Sequence, residues 1–249
     1  MTYDATHLAV IAVIVCVAAT IKGAIGFGFP LLAIPLLSIV LGPHIAIPLV
    51  VFPTLLSNLM LVGRGPGGPT DARPFIATLA ALAAGVVAGA LLITAMNPRT
   101  LSILVGAVSA LYVVATAFRL VQRIPPAAGH RAGPVVGLAA GVLGGSTGIF
   151  SPVVASYLHM LRLEKRPFVF WMTMMFFVGN IAQFVSYLRL GLYGGPVMGT
   201  AVLACAPMAV GTWAGLRLQD SLRPETFSRI VLALVFLAGL NLLARGLFG

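Results

Sequence analysis

Gly23-Ala-Ile-Gly26-Phe-Gly28-Phe-Pro30-Leu-Leu-Ala33 returns 122 positions later (145 minus 23) as Gly145-Ser-Thr-Gly148-Ile-Phe-Ser-Pro152-Val-Val-Ala155. Both copies carry two glycines three apart, a proline four residues on and an alanine three beyond that. Without a gap, the same offset lays Asn58 on Asn180, Pro74 on Pro196 and Gly89 on Gly211. Glycine matches arise by chance in an apolar chain, but an asparagine and two prolines at one offset point to an internal duplication.

The residues around the two copies belong in a bilayer. Of 249 residues, 60% are apolar and 8% charged, whereas a soluble domain carries about 25% charged residues to cover its surface. At about 20 residues per crossing, the length supports roughly eight to ten transmembrane or hairpin helices with tight loops and no extramembrane domain. Apolar runs cover 8–21, 27–41, 45–62, 75–96 and 101–120, then 134–143, 149–161, 168–188, 196–216 and 227–247, five on each side of a polar basic stretch. The expected fold is all-α and polytopic: a first repeat over 1–120, a cytoplasmic linker over 121–133 and a second repeat over 134–249, in one integral membrane domain.

The net charge of +10 is not a nucleic-acid signal, because the basic residues sit singly or in short groups between apolar runs rather than on one soluble face. Their distribution orients the chain. If each long run crosses once, one side collects Arg64, Arg73, Arg119, Arg123, Arg131, Arg162, Lys165, Arg166, Arg217, Arg223 and Arg229, and the other keeps Arg99, Arg189 and Arg245. The positive-inside rule makes the richer side cytoplasmic and puts both termini in the periplasm. Each half then begins on the opposite face, so the repeats are inverted, as in many secondary transporters. The start, Met1 to His7, has no basic n-region, and nothing is expected to be cleaved.

The glycine motifs are poor helix interior but good helix breaks, and irregular backbone survives in hydrocarbon only where protein or a water-filled cavity surrounds it. Pro30 and Pro152 are placed to open helices, whose free N–H groups and positive dipole end suit an anion. The expected anion-binding residues are Lys22, Gly26, Gly28, Asn58, Ser146, Thr147, Gly148, Ser151, Asn180 and Gln183. Lys22 supplies charge, the serines and threonine hydroxyl donors, and the paired asparagines amides on otherwise apolar helices. Gln183, one turn after Asn180, marks that face as wet. Two readings compete: the glycines only let helices pack, as Gly85-x-x-x-Gly89, Gly137-x-x-x-Gly141 and Gly211-x-x-x-Gly215 do, and Asn58 and Asn180 only tie helices together. Lys22 could also snorkel to an interface. The flanking runs leave open ten tilted crossings or six full spans beside two re-entrant hairpins.

Other residues read as structural. His44 is a turn residue, Cys16 and Cys205 are small core residues, and Tyr157, Trp171, Tyr187 and Tyr193 near segment ends are interfacial anchors. The five acids, Asp4, Asp71, Glu164, Asp220 and Glu225, fall in loops or the terminus, and there is no P-loop, G-x-S-x-G or H-E-x-x-H. No catalytic set, metal site or cofactor is expected.

Lys22-Gly-Ala-Ile-Gly-Phe-Gly-Phe-Pro-Leu-Leu-Ala-Ile-Pro35 and Gly144-Gly-Ser-Thr-Gly-Ile-Phe-Ser-Pro-Val-Val-Ala-Ser-Tyr-Leu158 resemble the two glycine motifs of the TauE/SafE sulfite exporter family. The second motif departs from that family's G-I-G-G-P at Phe150 and Ser151. The resemblance implies export of a small sulfur-containing anion, sulfite or an organosulfonate, driven by an ion gradient. The expected protein is therefore a multi-pass transporter of the bacterial inner membrane, working by alternating access at the interface of its repeats. Its partners would be the small anion, the lipid bilayer and a coupling H+ or Na+, and a homodimer is compatible with this reading. The competing classes are a non-transporting membrane scaffold, a transporter or channel for another small anion and, least favoured, an intramembrane enzyme.

Overall fold

The computed structural model describes residues 4–25, 28–62, 72–118, 126–218 and 224–248, with backbone alone at 25, 60–62, 126–128, 165 and 224–230. Gly26, Arg64, Asp71, Arg119, Arg123, Asp220 and Arg223 lie outside the described residues. Among those described there is no strand, and the helices are α1 (Ala5–Ile25), α2 (Phe29–Leu41), α3 (Pro43–Val62), α4 (Arg73–Ala95), α5 (Pro98–Ala117), α6 (Pro126–Thr147), α7 (Ser151–Met160), α8 (Lys165–Arg189), α9 (Val197–Leu203), α10 (Cys205–Leu218) and α11 (Pro224–Phe248).

Among the described residues, six stretches are long and apolar enough to cross a membrane: Ala5–Ala24, Arg73–Ala95, Pro98–Ala117, Arg166–Arg189, Val197–Leu218 and Val231–Phe248. The protein is a multi-pass membrane protein. Around the glycine motifs the helices differ from the two equal short runs expected. α1 and α6 have 21 and 22 residues, about 32 Å of helix at 1.5 Å per residue, enough for a ~30 Å hydrocarbon core. α2 and α7 have 13 and 10, about 20 and 15 Å. α6 extends upstream because Pro126 sits at its first position, where a missing N–H costs nothing, so 126–133 of the expected linker is helix.

The chain divides into two compact units. One comprises Met1–Thr54, Met96–Val114 and Gly191–Gly249. Here α1 packs along α10 with backbones in near contact: a Cβ added at Gly211 would strike Cys16 O, one at Gly215 Thr20 O, and one at Gly23 Thr212 O. Gly106 of α5 meets Gly239 of α11 in the same way. Where a helix end would leave carbonyls bare, side chains reach them. Arg99 donates to Gly246 O (Nε, 2.6 Å) and Leu247 O (Nη2, 2.7 Å), Arg245 to Ile39 O (Nη1, 2.9 Å), and His44 Nε2 lies 3.0 Å from Met96 O. Two of the three basic residues assigned to the sparser side thus close helix C-termini, where positive charge is favoured. At the other end of α1, Asp4 Oδ1 accepts the His7 N–H at 2.8 Å, a cap that holds this carboxyl below its ordinary range.

The other unit comprises Leu55–Ala95 and Ala115–Leu190. Its axis is the pair α4 and α6, again glycine to backbone: Gly85 against Leu138 O, Gly89 against Val142 O, Gly137 against Thr78 O, Gly141 against Leu82 O and Gly145 against Val86 O. Without water to drive helices together, such close approach supplies the van der Waals contact that does. These contacts fall at two different spacings. Cys16 and Leu138 differ by 122, as do Thr20 and Val142, but the glycines facing them, Gly211 with Gly85 and Gly215 with Gly89, differ by 126. Correspondingly, 31 residues separate Asn180 from Gly211 and 27 separate Asn58 from Gly85.

α9 and α10 break at Ala204 because Pro207 has no N–H to give Leu203 O, and bonding resumes at Met208 N to Ala204 O (3.1 Å). Tyr157, Trp171, Tyr187 and Tyr193, expected at the membrane interface, are all buried. In the Leu55–Leu190 unit Phe75 stacks on Trp171 with centroids 4.0 Å apart. Cys16 and Cys205 are free and half-buried rather than core.

Gly89→Val and Gly215→Val should each lower thermal stability by about 1–3 kcal/mol or more, since the added atoms meet rigid backbone. Gly199→Ala, with nothing within 4 Å of its Cβ, should be neutral or stabilising by about 0.5–1 kcal/mol. Thermal unfolding in detergent compares the three.

Candidate functional site

The two glycine motifs form the turns between α1 and α2 and between α6 and α7. In the Leu55–Leu190 unit, α6 closes at Thr147 and Gly148 takes φ +75°, with its N–H donating to Gly144 O at 2.7 Å. α7 then starts with Pro152 in its first turn. Its first bond is Val154 N to Phe150 O, 3.1 Å, so the N–H groups of Ser151 and Val153 point out of the helix end.

The end of α6 is held by a chain of buried donors that runs in one direction. Asn58 Nδ2 donates to Asn180 Oδ1 (2.8 Å), Asn180 Nδ2 to Gln183 Oε1 (3.3 Å) and Gln183 Nε2 to both Gly144 O and Tyr187 Oη (2.9 Å each). Tyr187 Oη donates in turn to Gly145 O (2.6 Å). All four side chains are buried. The helical spacing 180, 183, 187 explains the line, since these positions share one face of α8. That face packs on α6 rather than standing wet as Gln183 suggested. Both donors of Gln183 go to the turn and to Tyr187, and terminal carbonyls that would be costly in hydrocarbon are satisfied.

Ser146 and Thr147, also buried, turn their hydroxyls into the same helix: Ser146 Oγ donates to Val142 O (2.8 Å), Thr147 Oγ1 to Leu143 O (2.6 Å), and Thr147 Oγ1 accepts from Ile149 N (3.2 Å). They shape the turn. Ser151, buried at the start of α7, makes no side-chain hydrogen bond among the described residues.

The Met1–Thr54 unit builds the other turn. Lys22 is in the last turn of α1 and is 4% exposed, so it is buried rather than snorkelling, at a helix end where a cation is favoured. Gly28 takes φ +99° as the N-cap of α2, Pro30 stands in the first turn, and the first bond is Leu32 N to Gly28 O, 3.3 Å. The N–H groups of Phe29 and Leu31 face outward as those of Ser151 and Val153 do.

The structure thus brings Asn58, Asn180, Gln183, Ser146, Thr147, Gly148 and Ser151 into one unit and places Lys22 and Gly28 in the other. Sequence reasoning missed Tyr187 and the pair Phe150 and Gly179. The Phe150 ring fills the space a Cβ would take at Gly144 and lies 3.1 Å from a Cβ built on Gly179. The signal for Tyr187 was its spacing of four from Gln183; Gly179, alone in an apolar helix, gave none.

The family model of the sulfite exporter TauE/SafE matches residues 10–242. The chain belongs to the TauE/SafE family. That is a family of membrane transporters for sulfur-containing anions, and the match spans both glycine turns and nearly the whole chain. No curated protein and no solved structure gave a match. The departure of the second motif from the family's glycines has a local physical reason at Phe150, whose ring is accommodated because Gly144 and Gly179 lack side chains.

Tyr187→Phe should destabilise by about 1–3 kcal/mol by leaving Gly145 O without its donor. In a double-mutant cycle Asn58→Ala and Asn180→Ala should couple by about 0.6 and at most about 1.7 kcal/mol, the range of hydrogen bonds between membrane helices. Additive losses would show that the two amides do not act together.

Proposed function

We propose that the chain is a secondary transporter that exports a small sulfur oxyanion, sulfite or an organosulfonate, across the bacterial inner membrane by alternating access. Family membership supports the substrate class. The observation that carries the site is the pair of proline-opened helices, α2 and α7, each preceded by a glycine at positive φ and each starting with outward N–H groups, with Ser151 buried at the start of α7 and Lys22 buried in the last turn of α1.

In the Leu55–Leu190 unit the anion's oxygens are held by the N–H groups of Ser151 and Val153 and by Ser151 Oγ. Gly148, Ser146 and Thr147 fix the turn, and Asn58, Asn180 and Gln183 position it through the α6 carbonyls. In the Met1–Thr54 unit, Lys22 supplies charge and Gly28 the turn before the Phe29 and Leu31 amides, and Gly26, outside the described residues, belongs to the proposed site. Charge-assisted hydrogen bonds of this kind are the strong ones. Inverted repeats over 1–120 and 134–249, periplasmic termini, coupling to H+ or Na+ and a homodimer belong to the same reading. A transporter moving a gradient-driven anion needs no enzyme chemistry.

Purified protein in liposomes should show saturable sulfite or sulfonate flux. Lys22→Met and Ser151→Ala should each reduce it by about 10–100-fold, the loss of a hydrogen bond to a charged group, while Ser146→Ala, whose hydroxyl serves its own helix, should change flux less than about threefold. Absence of saturable anion flux from folded wild-type protein contradicts the proposal.

A further inference from the structure

α8 has a second face. Opposite the polar line at 180, 183 and 187, residues Ile181, Val185 and Arg189 follow at four-residue spacing, flanked by Ala182 and Ser186. With Val87 and Leu91 of α4 they line a groove of about 440 Å³ whose walls are almost wholly apolar. Val87 and Leu91 are 49% and 54% exposed, and Ile181 and Val185 40% and 42%. No other described helix lines the groove, and in a membrane protein such an open apolar channel is filled by something apolar.

Its dimensions and charge select the occupant. From Ile181 to Arg189 the groove runs eight residues along α8, about 12 Å, close to the ~15 Å half-thickness of the hydrocarbon core. Arg189 closes one end and is also the last residue of the candidate span Arg166–Arg189, which puts its guanidinium at the level of lipid headgroups. Arg189 is exposed and makes no hydrogen bond or ion pair among the described residues. A guanidinium is suited to bidentate binding of phosphate, so Arg189 at the end of the groove complements an anionic headgroup.

We propose that the groove between α4 and α8 is a binding site for a phospholipid with an anionic headgroup, one acyl chain lying along Val87, Leu91, Ile181 and Val185 and the phosphate on Arg189. The chain covers apolar surface that would otherwise meet mobile annular lipid, and the phosphate neutralises a cation at the membrane boundary.

Native mass spectrometry of detergent-purified protein tests this, with phosphatidylglycerol and phosphatidylcholine titrated separately. Wild type should retain phosphatidylglycerol at least about fivefold more tightly, the worth of one basic residue at a membrane surface. Arg189→Gln should erase that preference, and Val185→Trp, which fills the groove, should weaken both lipids, while the unfolding temperature without added lipid stays near wild type for Arg189→Gln. Glycerol phosphate at the same concentrations should not displace the lipid; if it does, the site takes free phosphate. Equal retention by wild type and both variants would reduce the lipid to an unspecific annulus, and efficient disulfide cross-linking into dimers of Val185→Cys protein, absent from wild type with its own Cys16 and Cys205, would assign the groove to a second copy. Either result overturns the proposal.

Discussion

The carbonyl of Gly145, at the end of α6, imposes the constraint on which the Leu55–Leu190 unit depends. The helix stops there, and an unpartnered peptide group in hydrocarbon costs several kcal/mol. Tyr187 donates to it, Gln183 adds a second donor to the Gly144 carbonyl beside the Gly148 N–H, and each is aligned by the residue before it in the chain of donors that begins at Asn58. The same bonds that satisfy the backbone therefore fix the direction in which Gly148 turns and in which α7 starts. A break that would be a defect in a water-free environment becomes a rigid turn with two amides facing out.

Helix approach supplies the rest of the rigidity. Between α4 and α6, and between α1 and α10, glycine lies on carbonyl over several turns, so neither pair can slide without collision. Mutations at these glycines act on the whole unit, whereas the turns at Gly28 and Gly148 carry the conformational freedom glycine alone provides at positive φ. The chain thus joins glycine-packed helix pairs to two glycine turns, and its family is one of membrane transporters for sulfur-containing anions.

Much of this was legible from the residues. Composition placed the chain in a membrane, the matched motifs located both turns, and the prolines marked the starts of α2 and α7, because each of these is a local property of sequence. The partners of Asn180 were legible only in part: Gln183 announced itself by spacing, but whether that face met water or a neighbouring helix depends on where α6 runs. The tyrosines and Trp171 misled for the same reason, since an aromatic near a segment end is read by its position along the chain and not by what packs over it. The offset that lays Gly89 on Gly211 is a property of the sequence alone, and the carbonyls those glycines meet, Val142 O and Cys16 O, depend on which helices pack together. Phe150 was seen only as a departure, until Gly144 and Gly179 showed the space it fills.

Hydrogen–deuterium exchange at single-residue resolution, on protein in nanodiscs with and without sulfite, tests most directly whether the α7 start holds the anion. Slower exchange at the Ser151 and Val153 amides on adding sulfite is the expected result. Unchanged exchange at both amides under conditions where sulfite flux saturates would contradict it.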